Sequence, residues 1–130
     1  MGERYLIDSN TLIDFLGRLL LPNGKQLVAG AIDRHELTIS VITHIELLGF
    51  QASEEYLQRC QSLIALAEVI PLVDSVLIGK AILVRRETKI KLPDAVIAAT
   101  ALFRDLTIVS RNEKDFGRVQ GLKYINPHTL

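Results

Sequence analysis

The sequence predicts an α/β fold, a mainly parallel sheet with helices on both faces. Two observations carry this. Short apolar, β-branched runs at 4–8, 37–43, 69–72, 106–110 and 122–125 alternate with longer stretches whose apolar residues recur at helical spacing. Such alternation is the mark of strands joined by crossover helices. The chain has 130 residues, the usual size of one domain, and shows no repeat, low-complexity stretch or linker. Residues 1–130 are therefore expected to form a single domain.

Taken in order, the run 4–8 reads as a buried strand ending in the carboxylate of Asp8. Ser9 or Asn10 is expected to cap a helix starting near Thr11, with Leu12, Ile13, Phe15 and Leu16 on its apolar side. Pro22, Asn23 and Gly24 read as a loop, followed by a helix over 26–34. The stretch 37–43 is rich in β-branched residues and reads as a second strand, with a short helix over 46–50. Ser53 caps a long amphipathic helix over 54–67, with Tyr56, Leu57, Cys60, Leu63, Ile64 and Ala67 inward. Pro71 gives the third strand, 69–72, an edge position. A helix over 75–86 follows. Pro93 suits the first turn of another, running through Phe103. Strands at 106–110 and 122–125 complete the pattern.

Composition narrows the function classes. Hydrophobic residues make up 48% and charged residues 23%, which argues against disorder. The 15 basic and 15 acidic residues cancel, so overall charge exerts no pull on nucleic acid. The single cysteine, Cys60, excludes an internal disulfide and reads as a small buried side chain. No signal-peptide pattern and no apolar run near the roughly 20 residues of a membrane span is seen. A cytoplasmic location is expected.

In open parallel sheets, ligands bind beyond the carboxyl ends of the strands. Three carboxylates fall there: Asp8 after the first strand, Glu46 just past the second, and Asp115 in the loop 111–116 after the fourth. A fourth, Asp94, opens a helix behind Pro93. Singly, each has an ordinary explanation: a helix cap for Asp8, dipole stabilisation for Asp94, a surface position for Glu46, an Asx-turn for Asp115. Together at strand ends they are better explained by a metal site. Clustered carboxylates repel and demand a cation, and hard oxygen donors suit Mg²⁺ or Mn²⁺. Asn10, Thr11, Ser110 and Asn112 stand near the same strand ends, either orienting water and the acids or serving as turn and cap residues. Asp14 is expected on the solvated face of its helix.

Four stretches resemble the PIN domain, and within it the VapC-like toxins of prokaryotic toxin–antitoxin pairs. They are Tyr5-Leu6-Ile7-Asp8-Ser9-Asn10, the stretch from Ile42 to Gly49, Leu92-Pro93-Asp94-Ala95 with the residues to Ala101, and the stretch from Ile108 to Phe116. The first is weak alone. The third followed by Ser110-Arg111-Asn112-Glu113-Lys114-Asp115-Phe116 is specific, and the set spans nearly the whole chain. The resemblance implies a three-layer α/β/α sandwich and hydrolysis of RNA phosphodiester bonds. It implies Mg²⁺ or Mn²⁺ held by Asp8, Glu46, Asp94 and a fourth group, a homodimer, and a cognate VapB-like antitoxin as partner. Many relatives carry an acid where Asn112 stands. Either Asp115 is then the fourth acid or the site holds only one ion firmly.

Arg85, Arg86, Lys89 and Lys91 precede Asp94, while Arg111 and Lys114 flank Asp115; they are candidate contacts to RNA phosphates or simply solvated helix ends. Aromatics are only 5%, which argues against a base-stacking platform and for backbone binding. Gly24-Lys25 lacks the remainder of a P-loop, and His44-Ile45-Glu46 lacks the cysteines of a zinc deaminase. His35, His44 and His128 have no metal-binding spacing, so surface or capping roles are expected. Other readings are a PIN-type nuclease in RNA maturation or acting on DNA, and a non-catalytic Mg²⁺-binding doubly wound module. The last would want a phosphorylatable Asp with a nearby Lys at a strand end, which Asp94 opening a helix fits poorly.

Overall fold

Leu6 and Ile7 are neighbours in sequence but serve opposite faces of the sheet, as the two-residue period of a strand requires. The computed structural model describes residues 3–130. In order it contains β1 (Tyr5–Ile7), α1 (Ser9–Leu16), α2 (Pro22–Asp33), β2 (Thr38–Ser40), α3 (Val41–Leu48), α4 (Glu54–Ala65), β3 (Glu68–Ile70), α5 (Ser75–Thr88), α6 (Leu92–Arg104), β4 (Thr107–Val109), α7 (Glu113–Phe116) and β5 (Tyr124–Ile125). Among the described residues every ladder is parallel: β1 with β4, β4 with β5, and β2 with β3. The hydrogen-bonded order is β1-β4-β5 and β2-β3, with β2 lying beside β1.

Register divides the core in two. Leu6 pairs with Ile108, and both face a cluster with Ala95, Ile97 and Ala98 of α6, Val84 of α5 and Phe116 of α7. Ile7 pairs with Val109, and both face Leu12 of α1, Val28 of α2, Leu47 of α3, and Cys60 and Leu63 of α4. Helices thus cover both faces of a parallel sheet, the expected α/β/α arrangement. Among the described residues, no helix is long and apolar enough to cross a membrane.

Several local expectations are corrected. The cap of α1 is not Ser9 or Asn10 but Asp8, as the helix-cap reading of that acid has it; its carboxylate accepts from the Ser9 backbone N–H and the helix starts at Ser9. Pro22 begins α2 instead of lying in a loop, since a missing N–H is no loss in a helix's first turn. The run 37–43 breaks at Ser40, whose hydroxyl accepts from the Ile42 backbone N–H at 3.1 Å and caps α3. Burial of Thr43 and Leu47 overrides the strand preference of Val41, Ile42 and Thr43. The stretch 111–116 is not all loop: Asn112 caps the short α7. Strand β3 stops before Pro71 and, among the described residues, pairs only with β2, an edge position as expected.

The last residues fold back over α2. The side-chain amide of Asn23 donates to the Leu130 carbonyl at 3.0 Å, and a Cβ at Gly24 would overlap the Pro127 carbonyl oxygen. Gly24 therefore permits a backbone-to-backbone approach that no other residue allows.

Candidate active site

Strands β1 and β4 end side by side. The Asp8 backbone N–H donates to the Val109 carbonyl at 3.0 Å, so Asp8 and Ser110 emerge together at the carboxyl edge. Asp8 Oδ1 accepts from the Ser9 backbone N–H at 2.9 Å; Oδ2 accepts from Ser110 Oγ at 2.7 Å and Asn10 Nδ2 at 3.1 Å. The residue is only 4% exposed. Burial raises its pKa from 3.8 to about 6, outweighing the hydrogen bonds from Ser110 and Ser9 that pull it down. The negative charges of Asp94 and Glu46 push the same way as burial.

The other acids come from three helices. Glu46, exposed on α3, accepts the Ser9 hydroxyl on Oε1 at 2.6 Å, and Ser9 Oγ stands 3.2 Å from Thr43 Oγ1. Asp94, half-buried in the first turn of α6, has its pKa raised by burial and then by Asp115 and Glu46, while Lys91 opposes the shift. Asp115 sits on α7. The Asn112 side-chain amide donates to Asp115 Oδ2 at 3.2 Å and to Asp94 Oδ2 at 3.4 Å, so it bridges the two carboxylates. Ser110 Oγ also accepts from the Asn112 backbone N–H at 3.0 Å and Asn10 Nδ2 at 3.1 Å, tying α1 to the turn before α7. Thr11 differs: its hydroxyl donates to the Val109 carbonyl at 2.9 Å and ties α1 to β4.

The donors at this edge are hard oxygens. Among the described residues, no three His, Cys, Asp or Glu side chains stand close enough together to enclose one ion. Mg²⁺ needs no such enclosure; it is commonly held by one or two carboxylates, with water and substrate phosphates filling the remaining positions. The desolvated Asp8 and its acidic neighbours fit that mode of binding.

Two expectations fail. Asp14 is not solvated: its side chain is 2% exposed, 3.0 and 3.1 Å from Arg111 Nη1 and 2.8 Å from His128 Nε2. His128, its side chain 30% exposed, is not a capping residue but Asp14's second partner. The signal was the spacing of Asn10 and Asp14, which places them on one helical face. The basic candidates Arg85, Arg86, Lys89, Lys91 and Lys114 are all exposed, and Arg85 directs its guanidinium to the Ile90 carbonyl.

The family model for the PIN domain matches residues 5–122. The chain belongs to the PIN-domain family. PIN domains are nucleases, a class of hydrolase, and generally use divalent metals. A toxin–antitoxin complex from Klebsiella pneumoniae contains a chain 28% identical to this PIN domain, covering 97% of this chain and 99% of that one with a TM-score of 0.77. DNA-bound VapBC from Salmonella typhimurium is 22% identical, covering 96% and 98% with a TM-score of 0.80. FitAcB from Neisseria gonorrhoeae is 23% identical, covering 97% and 99% with a TM-score of 0.73. The last two matches speak to fold alone. No curated protein sequence matches the chain.

Proposed function

We propose that this PIN domain is a metal-dependent endoribonuclease acting as the toxin of a VapBC-type toxin–antitoxin pair. The observation that carries the reading is Asp8: a carboxylate at the switch between neighbouring parallel strands, its charge destabilised by burial first and then by Asp94 and Glu46, and thus in want of a cation. Asp8 and Asp94 would hold Mg²⁺ or Mn²⁺, with Glu46 and Asp115 completing the acidic rim through water or a second ion. When bound, the ion supplies Lewis acidity toward water and the phosphodiester.

The chain's own residues do the rest. Ser110 and Asn10 fix Asp8 Oδ2, and Ser9 fixes Glu46 Oε1. Glu46 Oε2 has no hydrogen-bond partner among the described residues, which leaves it open to the ion or its water. Asn112 donates to both Asp94 and Asp115 and so offsets part of the repulsion between them. The exposed Arg86, Lys89, Lys91 and Lys114, together with Arg111, contact RNA phosphates. Similarity to the Klebsiella chain supports a protein antitoxin as partner, and a homodimer working in the cytoplasm completes the proposal.

The test incubates purified protein with a mixed pool of structured RNAs and Mn²⁺ or Mg²⁺, beside an EDTA control and Asp94→Asn. Cleavage lost in both controls supports the reading. Cleavage that persists with Asp94→Asn overturns the assigned site, and cleavage of DNA alone overturns the substrate class.

A further inference from the structure

Arg111 is held at two points by one face of α1. Its backbone N–H donates to Asn10 Oδ1 at 3.2 Å, and its Nη1 donates to both carboxylate oxygens of Asp14. Asn10 and Asp14 are one helical turn apart, so they project from the same side of the helix. The amide of Asn10 meanwhile bonds Asp8 Oδ2 and Ser110 Oγ. A single helix face therefore fixes the position of Arg111 relative to the buried acid of the candidate site.

The pair is lopsided. The Asp14 side chain is 2% exposed and the Arg111 side chain 54%. Asp14 meets Nη1 alone; Nε and Nη2 of Arg111 have no hydrogen-bond partner among the described residues. A buried carboxylate must be paired, and Asp14 already has His128 Nε2 at 2.8 Å as well as Arg111. The unengaged donors form the planar fork that suits a phosphate oxygen pair. A long side chain ordered before a ligand arrives also loses less entropy on binding.

We infer that Asp14 is a positioning residue that holds Arg111 beside the acids with the free edge of its guanidinium open, and that this edge binds a phosphate of the RNA backbone. The inference rests on the nuclease reading above and deepens it. Arg111 donates two further hydrogen bonds to a backbone phosphate, which offsets part of the repulsion between RNA and the acids. Asp14 never touches RNA.

The test measures binding of a fluorescein-labelled single-stranded RNA pool by anisotropy in EDTA, across a salt series, for the full chain. Thermal melts of each variant accompany it. Arg111→Ala is expected to weaken binding about tenfold and to reduce the slope of log affinity against log salt by about 0.7, one phosphate contact on a single strand. Asp14→Asn should reproduce most of that slope change, and the double variant should be no worse than Arg111→Ala. Should Asp14→Asn unfold, Asp14→Glu, which keeps the charge but displaces the guanidinium, carries the same expectation. His128→Ala should leave the slope intact, because it loosens only the C-terminal segment. An unchanged slope with Arg111→Ala overturns the inference. So does a loss with His128→Ala equal to that with Asp14→Asn, which would make Asp14 an anchor for the chain end. Wild-type protein that cleaves RNA with Mn²⁺ while these variants show no slope change defeats the inference alone. Wild-type protein that neither binds nor cleaves RNA defeats the nuclease reading itself.

Discussion

Replacing Asp8 by Asn removes a charge that the fold does not welcome. Folded Asp8 holds its proton up to about pH 6, whereas an ordinary carboxyl releases it near 3.8. Between those values the folded state binds more protons than the unfolded chain, so stability falls as pH rises through the window and stays lower above it. At about 1.36 kcal/mol for each tenfold change in protonation, ionised Asp8 costs about 3 kcal/mol at neutral pH. Asn removes that cost but adds another. Ser9, Ser110 and Asn10 all donate to Asp8, and an amide offers one acceptor oxygen where the carboxylate offers two. Ser110 Oγ already accepts from Asn112 and Asn10, so Ser110 and Asn10 both face the new amide NH2 without an acceptor there, which together costs about 1–2 kcal/mol. In EDTA at neutral pH, Asp8→Asn should therefore be about 1–2 kcal/mol more stable than wild type. Near pH 4 it should be slightly less stable. Denaturant unfolding of both proteins across this range reads the gap between them, which should change by about 2–3 kcal/mol. A gap that stays constant with pH would refute the reasoning, because the destabilising charge would not exist. Saturating Mg²⁺ should return the lost stability to wild type and not to the variant.

Asn112→Asp exchanges an amide that bridges Asp94 and Asp115 for a further negative charge. It should lower the melting temperature in EDTA and raise Mn²⁺ affinity about tenfold, measured by calorimetric titration. Phe116 is fully buried beneath α7, in the cluster with Ile97 and Ile108. Phe116→Ala should cost about 3–5 kcal/mol in denaturant unfolding, and RNA cleavage should fall with the loss of the Asn112–Asp115 turn. Gly24→Ala drives a methyl into the Pro127 carbonyl and should cost about 1–3 kcal/mol, seen as a lower melting temperature.

Much of the architecture was legible because it depends on local order. The 4–8 run, the helical spacing of 54–67 and Pro93 each act over a few neighbours, and each lies where its pattern indicated. The placement of Asp8, Glu46, Asp94 and Asp115 at one edge followed once the strands were read as parallel, since parallel strands end on the same side. Boundaries were harder. Val41 to Thr43 favour a strand by themselves and become helical only because Ser40 caps them and Leu47 needs the core.

Which polar groups meet depends on chain segments far apart in sequence. Asp14 pairs with Arg111, 97 residues away, and with His128, 114 residues away. On its own helix an aspartate at that position belongs in water. The period of each element, and so the edge where the acids gather, is written in local residue order. The solvation of any one acid was decided by distant chain folding over it, because desolvation depends on everything that lies within a few ångströms and local periodicity describes only the element itself.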